Sequence, residues 1–315
     1  MQRTTRTRAA GRTAATIAAL AGAQAAAQTD GLERICGDCV FEKFASCGGF
    51  LEGATVDAEG TLWVVDLLSG NLLSVDDGGR CDARANTGGQ PNGAKFHRDG
   101  RLFVADKTLG IVAYDPSSDE ITTIADTYRA ERLRGTNDLV FDAEGGLYFT
   151  EPYGSSATNP TGRVFYLPPG ENASPVLAAD GLAFPNGVAL SPDGGNIFVG
   201  EYAKKHLLSA PAVGSPDVFD IAYVFARTVG GVGPDGMALD EDGNIYVAIF
   251  QGGAVDVIAP DGRPRGTLML PDDAGTFVTN LAFHEGWLYV TEASVGEIWR
   301  VRVSSAGLPL FHQTE

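Results

Sequence analysis

Six copies of one short pattern fill most of this 315-residue chain and constrain its fold more than any other feature. Each copy begins with a polar residue, continues through a short apolar run and a glycine-containing turn, and ends in a second apolar run. The turn glycines recur every 40 to 49 residues, at Gly60, Gly100, Gly145, Gly194, Gly243 and Gly286. A period in the forties made of short strands is typical of a β-propeller in which each repeat is one blade. The sequence therefore predicts an all-β, six-bladed propeller.

Each repeat contains enough strand signal for a complete blade. The second apolar run is aromatic and β-branched, as in LWVVD from Leu62, and a third apolar run and a more polar fourth run follow it. This order predicts four antiparallel strands per blade. The sixth repeat lacks a fourth run, so we expect an N-terminal strand at residues 40–45 to complete that blade; the alternative is closure by residues 307–311.

The first 27 residues differ from the rest of the chain. They contain four arginines (Arg3, Arg6, Arg8, Arg12), no acidic residue, and an alanine-rich stretch that ends in a cleavage-like Ala-Gln-Ala-Ala-Ala segment. This pattern predicts a signal peptide at 1–27, a single propeller domain at 28–315, and a secreted or periplasmic protein. The alternatives are a disordered tail or an organellar transit peptide.

The four cysteines favour the same location. Cys36, Cys39, Cys47 and Cys81 form an even set near the N-terminus, which predicts two disulfides in one of three pairings. The Cys36-x-x-Cys39 spacing also fits a redox motif or half of a zinc site, but no second such pair completes a zinc site.

Charge limits the partners. The formal net charge of −17 makes nucleic acid an unfavourable partner, because phosphate backbones would be repelled. No apolar stretch is long enough to span a bilayer. The sequence gives no indication of oligomeric state.

The polar residues that begin the six repeats share one register. In a propeller the first strand of each blade lines the central channel, so these side chains should meet at one mouth of that channel. They are Glu52, Asn92, Asn137, Asn186, Asp235 and Thr279.

A ring of two carboxylates, three carboxamides and a hydroxyl has only oxygen ligands to offer. Such a set suits one hard divalent cation, with Ca²⁺ favoured, Mg²⁺ or Mn²⁺ as substitutes, and Zn²⁺ less well matched. The cation could be purely structural, or it could activate a water molecule for hydrolysis. In the second case Asp235 or Glu52 would act as the base.

Other residues are placed by the same register. His97 and His284 should lie at the opposite mouth, and His206 is expected to be an exposed residue of a rim loop. Arg132 and Arg134 precede Asn137 and should reach the metal-bearing mouth of the channel.

The walls of the pocket are also predicted. Tyr153 and Phe250 follow second strands and are candidate wall residues, and the loop at 152–162 is a candidate lid or specificity loop. The G-x-G-x-x-G match that begins at Gly231 leads into a strand-like run rather than a helix, so we interpret it as a turn that delivers Asp235.

The segments FLEGATVDAEGTLWVVD, GTNDLVFDAEGGLYFTEPYG, FPNGVALSPDGGNIFVGE and GPDGMALDEDGNIYVAIF resemble the gluconolactonase, senescence marker protein and luciferin-regenerating enzyme family. The resemblance spans nearly the whole chain after residue 27. It implies one divalent cation bound by Glu52, Asn137, Asn186 and Asp235, and hydrolysis of a lactone with the aspartate as base. It also implies an arginine in contact with substrate; Arg134 stands three residues before Asn137, where some members have the arginine two before.

We therefore expect a metal-dependent hydrolase that opens a sugar lactone or related cyclic ester with metal-activated water. The expected substrate contacts are Arg134, Asn92, Asn137, Tyr153 and Phe250. One alternative is a phosphotriesterase resembling diisopropyl fluorophosphatase. Another is a non-catalytic, calcium-stabilised binding propeller.

Overall fold

The structure is a computed structural model that describes residues 31–170, 172–215 and 221–314. The segment 1–27, for which a signal peptide is predicted, lies outside the described residues. Six antiparallel sheets of four strands make up the fold, which confirms the six-bladed propeller. Residues 31–36 are helical, and none of the helices in the described part of the chain is long and apolar enough to cross a membrane.

The first three blades run in chain order from the channel outwards. Blade 1 consists of β2 (Leu51–Val56), β3 (Leu62–Asp66), β4 (Asn71–Val75) and β5 (Cys81–Asn86). Blade 2 consists of β6 (Pro91–Phe96), β7 (Leu102–Asp106), β8 (Gly110–Asp115) and β9 (Glu120–Ala125). A small hairpin then precedes the third blade and is formed by β10 (Thr127–Tyr128) and β11 (Glu131–Arg132). Blade 3 consists of β12 (Leu139–Phe141), β13 (Leu147–Glu151), β14 (Gly162–Leu167) and β15 (Val176–Leu182).

The remaining blades repeat the plan. Blade 4 consists of β16 (Pro185–Leu190), β17 (Asn196–Glu201), β18 (His206–Pro211) and β19 (Tyr223–Arg227). Blade 5 consists of β20 (Gly233–Leu239), β21 (Ile245–Phe250), β22 (Ala254–Ile258) and β23 (Pro264–Met269). Blade 6 consists of β24 (Val278–His284), β25 (Trp287–Glu292), β26 (Glu297–Arg302) and the N-terminal strand β1 (Phe41–Ser46).

The propeller is closed at blade 6, as predicted, by an N-terminal strand. β1 pairs antiparallel with β26, with Phe41 opposite Val301. A disulfide between Cys47 and Cys81 then links the end of this closing strand to the outermost strand of blade 1, and a second disulfide joins Cys36 to Cys39. Both predicted disulfides are therefore present, and the structure selects one of the three pairings.

Apolar side chains between neighbouring blades form the core. Between blades 1 and 2, for example, Trp63 packs edge-to-face on Phe96 with ring centroids 5.6 Å apart, and Val65 and Val104 are fully buried beside them. Each such side chain contributes roughly 1.5–3 kcal/mol through removal from water. Because this packing is repeated between blades, the first strands are held at fixed positions around the channel.

The first strands share an irregularity that shapes the channel. In five blades the pairing with the second strand shifts at the ring residue, as between Glu52 and Thr55 in β2. A β-bulge of this kind redirects side chains locally. Glycine follows the ring residue in four copies, because adjacent blades approach closely: a Cβ on Gly187 would lie 2.2 Å from the carbonyl oxygen of Asp235.

The opposite mouth is covered by the C-terminal segment. Residues 307–311 do not complete a blade; Gly307 forms a bridge with Asp240, and the Leu308 N–H donates to Leu239. The Phe311 ring packs 5.0 Å from that of His97, while His284 lies beside the turn at Gly60. The two histidines are thus at this mouth, away from the ring residues.

Candidate metal centre

Five of the six ring residues surround one cavity of about 500 Å³ at the channel mouth where the first strands begin. Glu52, Asn92, Asn186 and Asp235 are each less than a tenth exposed, and Asn137 is partly buried. These side chains come from five different blades, yet the shared register of β2, β6, β16 and β20 delivers them to one place.

The sixth ring residue does not contribute to the cavity. Thr279 is fully buried, and its hydroxyl donates to the Leu51 carbonyl at 2.7 Å and lies 2.8 Å from the Thr291 hydroxyl. A short side chain at this position bonds to its neighbours instead of reaching the axis. The expectation that a hydroxyl joins the ring is therefore wrong, and Thr279 links blade 6 to blade 1.

Burial and mutual repulsion dominate the electrostatics of the two ring carboxylates. Burial, and then repulsion by Asp235 and Asp138, raise the pKa of Glu52 well above its usual value. Burial and repulsion by Asp138 also raise the pKa of Asp235, against hydrogen bonds from the Asn186 side chain and the Gly236 N–H. Holding both groups ionised without a compensating positive charge is therefore costly.

Two acceptor atoms of the described residues at the cavity lack hydrogen-bond donors. Among the described residues, no hydrogen-bond donor reaches the buried Glu52 Oε2 or Asn186 Oδ1. Buried polar atoms are normally paired, so such atoms at one site call for an unseen partner such as water or an ion. Two carboxylates with raised pKa values and an unpaired amide oxygen fit a hard divalent cation, which prefers oxygen ligands.

The amides are essential to that fit. No group of three or more His, Cys, Asp or Glu side chains placed to hold a metal exists in the described ranges. A cation at this mouth would therefore depend on Asn137 and Asn186 as well as on Glu52 and Asp235.

Sequence reasoning missed the carboxylate of Asp138, which lies just below the ring. Its Oδ2 accepts from the Val188 N–H at 3.1 Å, and its Oδ1 has no donor among the described residues. Burial raises the pKa of Asp138, while Lys95 counteracts this. The available signal was the residue after each ring residue, which is glycine in four copies but aspartate in the third.

Lys95 supplies a positive charge inside the channel, on the far side of Asp138 from the ring. Its Nζ donates to the carbonyl oxygens of Ala54 at 3.3 Å and Ala94 at 3.2 Å. Burial lowers the pKa of Lys95, and Asp138 opposes that effect. The amine therefore offsets Asp138 rather than the ring carboxylates.

Above the polar ring the cavity wall is mainly apolar. Phe50, Phe184, Tyr202 and Phe250 line it from one side, and Leu67, Pro152 and Tyr153 complete it. Both predicted wall residues, Tyr153 and Phe250, are thus at the cavity, and the loop at 152–162 contributes its first residues.

The side chain of Arg134 does not line this cavity. It is exposed, and its guanidinium packs 5.4 Å from the Tyr153 ring in a separate small pocket with Glu131, Glu151 and Arg163. The backbone N–H of Arg134 donates to Glu151 Oε1 at 2.6 Å, so this bond fixes the main chain and not the side chain. Arg132 is also exposed and faces Asp126 at 3.6 Å. Neither arginine lines the cavity around the ring.

The prediction that His206 is an exposed residue of a rim loop is wrong. This histidine begins β18, is buried, and its Nε2 forms a hydrogen bond with Glu201 Oε2. The preceding turn contains two lysines, which suggested an exposed loop, but the strand starts at the histidine itself. His206 therefore supports the blade and does not face the cavity.

The ends of the second strands carry a different set of acids at the same mouth. These rim acids are Asp66, Asp106, Glu151, Glu201 and Glu292, and all are buried. Each accepts the backbone N–H of the segment that enters its own blade, as Asp66 Oδ1 does from Phe50 at 2.9 Å. They hold the blade connections in place.

Taken together, fold and site define a class: six-bladed β-propellers with a cavity of carboxylates and amides at one mouth of the channel. Residues 50–294 match the family described as SMP-30/Gluconolactonase/LRE-like region. This chain belongs to that family, which confirms the resemblance found in the sequence.

Individual relatives agree with the assignment. The chain is 33% identical over 234 residues to lactonase drp35 of Staphylococcus aureus (strain MRSA252), covering 70% of each chain. It is 33% identical over 242 residues to lactonase drp35 of Staphylococcus haemolyticus (strain JCSC1435), covering 73% of this chain and 72% of the relative.

Solved structures match the fold. The gluconolactonase XC5397 of Xanthomonas campestris superimposes with a TM-score of 0.75 at 23% identity, over 87% of this chain and 92% of that one. Regucalcin of Agrobacterium tumefaciens str. C58, described as a calcium-binding protein, gives 0.74 at 20% identity, over 88% and 98%. At these identities the likeness concerns the fold alone.

Proposed function

We propose that this protein is a lactonase that depends on one divalent cation, with Ca²⁺ favoured. The observation that carries the proposal is the meeting of Glu52, Asn137, Asn186 and Asp235 at one cavity, where Glu52 Oε2 and Asn186 Oδ1 have no donor in the described part of the chain. The lactonase relatives at 33% identity support the reaction class.

Glu52, Asn137, Asn186 and Asp235 would hold the cation. Once bound, it would supply Lewis-acid polarisation of the substrate carbonyl. Asn92 lies at the same cavity and is not needed for the ligand set, so its amide is available to orient the lactone.

The proton transfer is assigned to Asp235. The Asn186 side chain and the Gly236 N–H favour the ionised form of Asp235 and so oppose its raised pKa, whereas only burial and repulsion, which raise the pKa, act on Glu52. Asp235 takes the proton of the attacking water, whose oxygen bonds to the carbonyl carbon. The ring C–O bond then breaks, and the released alkoxide receives that proton, leaving a hydroxy acid.

The test is proton release from lactones at constant pH, after subtraction of spontaneous hydrolysis, with Ca²⁺ and with a chelator. Wild type should hydrolyse lactones only with the cation, and Asp235→Asn should be inactive. Asp256→Asn is the matched control, because Asp256 is a buried aspartate that bonds Val229 and Thr267 away from the cavity.

Hydrolysis that persists in chelator would overturn the cation dependence. Hydrolysis of phosphotriesters in place of lactones would favour the alternative enzyme class. Melting that depends on Ca²⁺ with no hydrolysis of either substrate would favour a binding propeller.

We also propose that the protein acts outside the cytosol, in the medium or the periplasm. The two disulfides support this location, because such bonds persist in oxidising compartments. Mass spectrometry of the protein from each cell fraction tests it: the mature chain should lack residues 1–27 and carry no free thiol.

A further inference from the structure

The wall above the ring contains a continuous aromatic arc. We define it as Phe50, Phe250, Tyr202 and Phe184, which come from blades 1, 5 and 4. Ring centroids along the arc are 6.5 Å apart for Phe50 and Phe250, 6.2 Å for Tyr202 and Phe250, and 5.2 Å for Phe184 and Tyr202. Aromatic contacts at these distances are stabilising, so the four side chains hold one another in place.

The arc reaches the reactive end of the cavity. Its four side chains line the same cavity as Glu52, Asn186 and Asp235. A substrate whose carbonyl lies at the ring would therefore place its substituents against these rings.

The position of Phe184 is enforced by its backbone. It adopts φ of 59°, a left-handed conformation that is rare for a bulky residue. Its N–H is held by Ser155 Oγ at 2.8 Å, and Ser155 belongs to the 152–162 loop. Strain of this kind tends to occur where a side chain must be placed for function.

Apolar surface continues beyond the arc to the solvent. Tyr153, which lines the cavity, is 58% exposed, and Leu68, next to the cavity residue Leu67, is 71% exposed. Among the described residues that line the cavity above the ring, Lys107 is the single charged side chain. A polyhydroxylated ring needs many hydrogen-bond partners, and this wall offers few.

We propose that the substrate is a lactone with an alkyl or other apolar substituent, not a polyhydroxylated sugar lactone. This inference rests on the proposed function and assigns substrate class within the same cavity. The ring of polar residues receives the ester group, the aromatic arc packs against the substituent, and Tyr153 covers its outer end.

The experiment compares δ-valerolactone, its 5-propyl and 5-pentyl homologues and glucono-δ-lactone with the Ca²⁺-loaded protein. Each buried methylene should raise kcat/KM by about fourfold until the substituent passes Tyr153. Glucono-δ-lactone should be the poorest substrate. A better rate with glucono-δ-lactone than with the 5-pentyl homologue would overturn the proposal.

Two variants locate the effect, and a third is a control. Phe250→Ser and Tyr153→Ser should lower kcat/KM for the 5-pentyl lactone about tenfold, and should lower it more than kcat/KM for δ-valerolactone. Tyr223→Ser should change neither, since Tyr223 is 56% exposed on the outer strand β19 and matches Tyr153 in exposure. An unchanged dependence on chain length in Phe250→Ser and Tyr153→Ser would contradict the assignment.

Calorimetry with the matching δ-lactams separates this inference from the proposed function. If no lactone is hydrolysed, the proposed function fails, but tighter binding of the 5-pentyl lactam than of the unsubstituted lactam, lost in Phe250→Ser, still supports the apolar site. Equal binding of the two lactams would overturn it.

Discussion

Two sets of buried carboxylates lie at the same mouth of this propeller, on neighbouring strands, and they have opposite environments. The channel acids, Glu52 and Asp235, begin first strands. The rim acids, defined above, end second strands. Asp106 shows the rim case: its carboxylate accepts from the N–H groups of Gln90, Thr108 and Leu109 at 2.9 to 3.1 Å, and from two hydroxyls.

The channel acids have no such shell. Glu52 Oε2 has no donor within the described part of the chain, and the pKa values of Glu52 and Asp235 are raised. Burial alone therefore does not identify a functional acid, because both sets are equally buried. The two sets differ in whether hydrogen-bond donors reach their carboxylate oxygens. The fold supplies such donors at the rim and leaves acceptor oxygens without them at the channel.

The largest expected effect separates the two sets by activity. Glu52→Gln should lower kcat/KM at least about 10³-fold, because it removes a proposed ligand charge. Glu292→Gln, a rim variant, should keep kcat/KM within about threefold while lowering the melting temperature. Initial rates on one lactone, with circular dichroism to confirm folding, measure both. Comparable activity losses in the two variants would break the distinction.

The next effect separates them by stability. Asp106→Ala should lower the free energy of unfolding by about 3 kcal/mol, because it leaves several buried N–H groups without an acceptor. Asp115→Ala is the control within the same blade, since the Asp115 carboxylate bonds Ser117 and Ser118 of its own turn, and it should cost less than about 1 kcal/mol. Urea titrations of the three proteins give the values. An Asp106→Ala protein as stable as wild type would show that the rim bonds contribute little.

The sequence predicted the channel acids better than the rim network. Glu52 and Asp235 could be placed because a strict repeat register carries positional information along the chain. Thr279 had the same register, but its short side chain bonds to adjacent strands, which depends on packing and not on spacing. The burial of His206 and the separate pocket of the Arg134 side chain could not be read from spacing, because each depends on contacts between distant segments.

The fold itself followed from periodicity, since six repeats with four strand signals each allow few architectures. The partner of Cys47 did not, because it depends on which outer strand lies beside the closing strand β1. Asp138 could have been found by aligning the repeats on the ring residue, where it stands at the position that is glycine in four of the six copies.

A smaller effect is expected from the cation itself. Ca²⁺ at 100 times its Kd should stabilise wild type by about 2.7 kcal/mol, because it binds the folded state only. Asn186→Leu should lose this stabilisation, since its amide oxygen is an unpaired proposed ligand, whereas a rim variant such as Glu292→Gln should retain it. Thermal melts with Ca²⁺ and with chelator provide the comparison. Equal Ca²⁺ shifts in Asn186→Leu and wild type would place the cation elsewhere.

The smallest expected effect is measured in chelator and concerns how stability changes with pH. The contributions of a channel acid and a rim acid should change in opposite directions. Burial and the repulsion of Asp235 raise the pKa of Glu52 in the folded protein, so the native state binds more protons than the unfolded state. Its contribution to stability is therefore present at low pH and is lost as pH rises through the raised pKa. Wild type should lose stability relative to Glu52→Gln as the pH increases.

Glu201 at the rim should behave in the opposite way. Burial would raise its pKa, but hydrogen bonds from Ala183, Lys204 and His206 outweigh this and lower the pKa of Glu201. Its contribution is present above the unfolded-state pKa and is lost as pH falls, so wild type should gain stability relative to Glu201→Gln as the pH increases. The urea midpoints of wild type, Glu52→Gln and Glu201→Gln, measured between pH 4 and pH 8, give the two slopes. Slopes of the same sign would mean that the two sets of acids do not differ in the way their hydrogen bonds indicate.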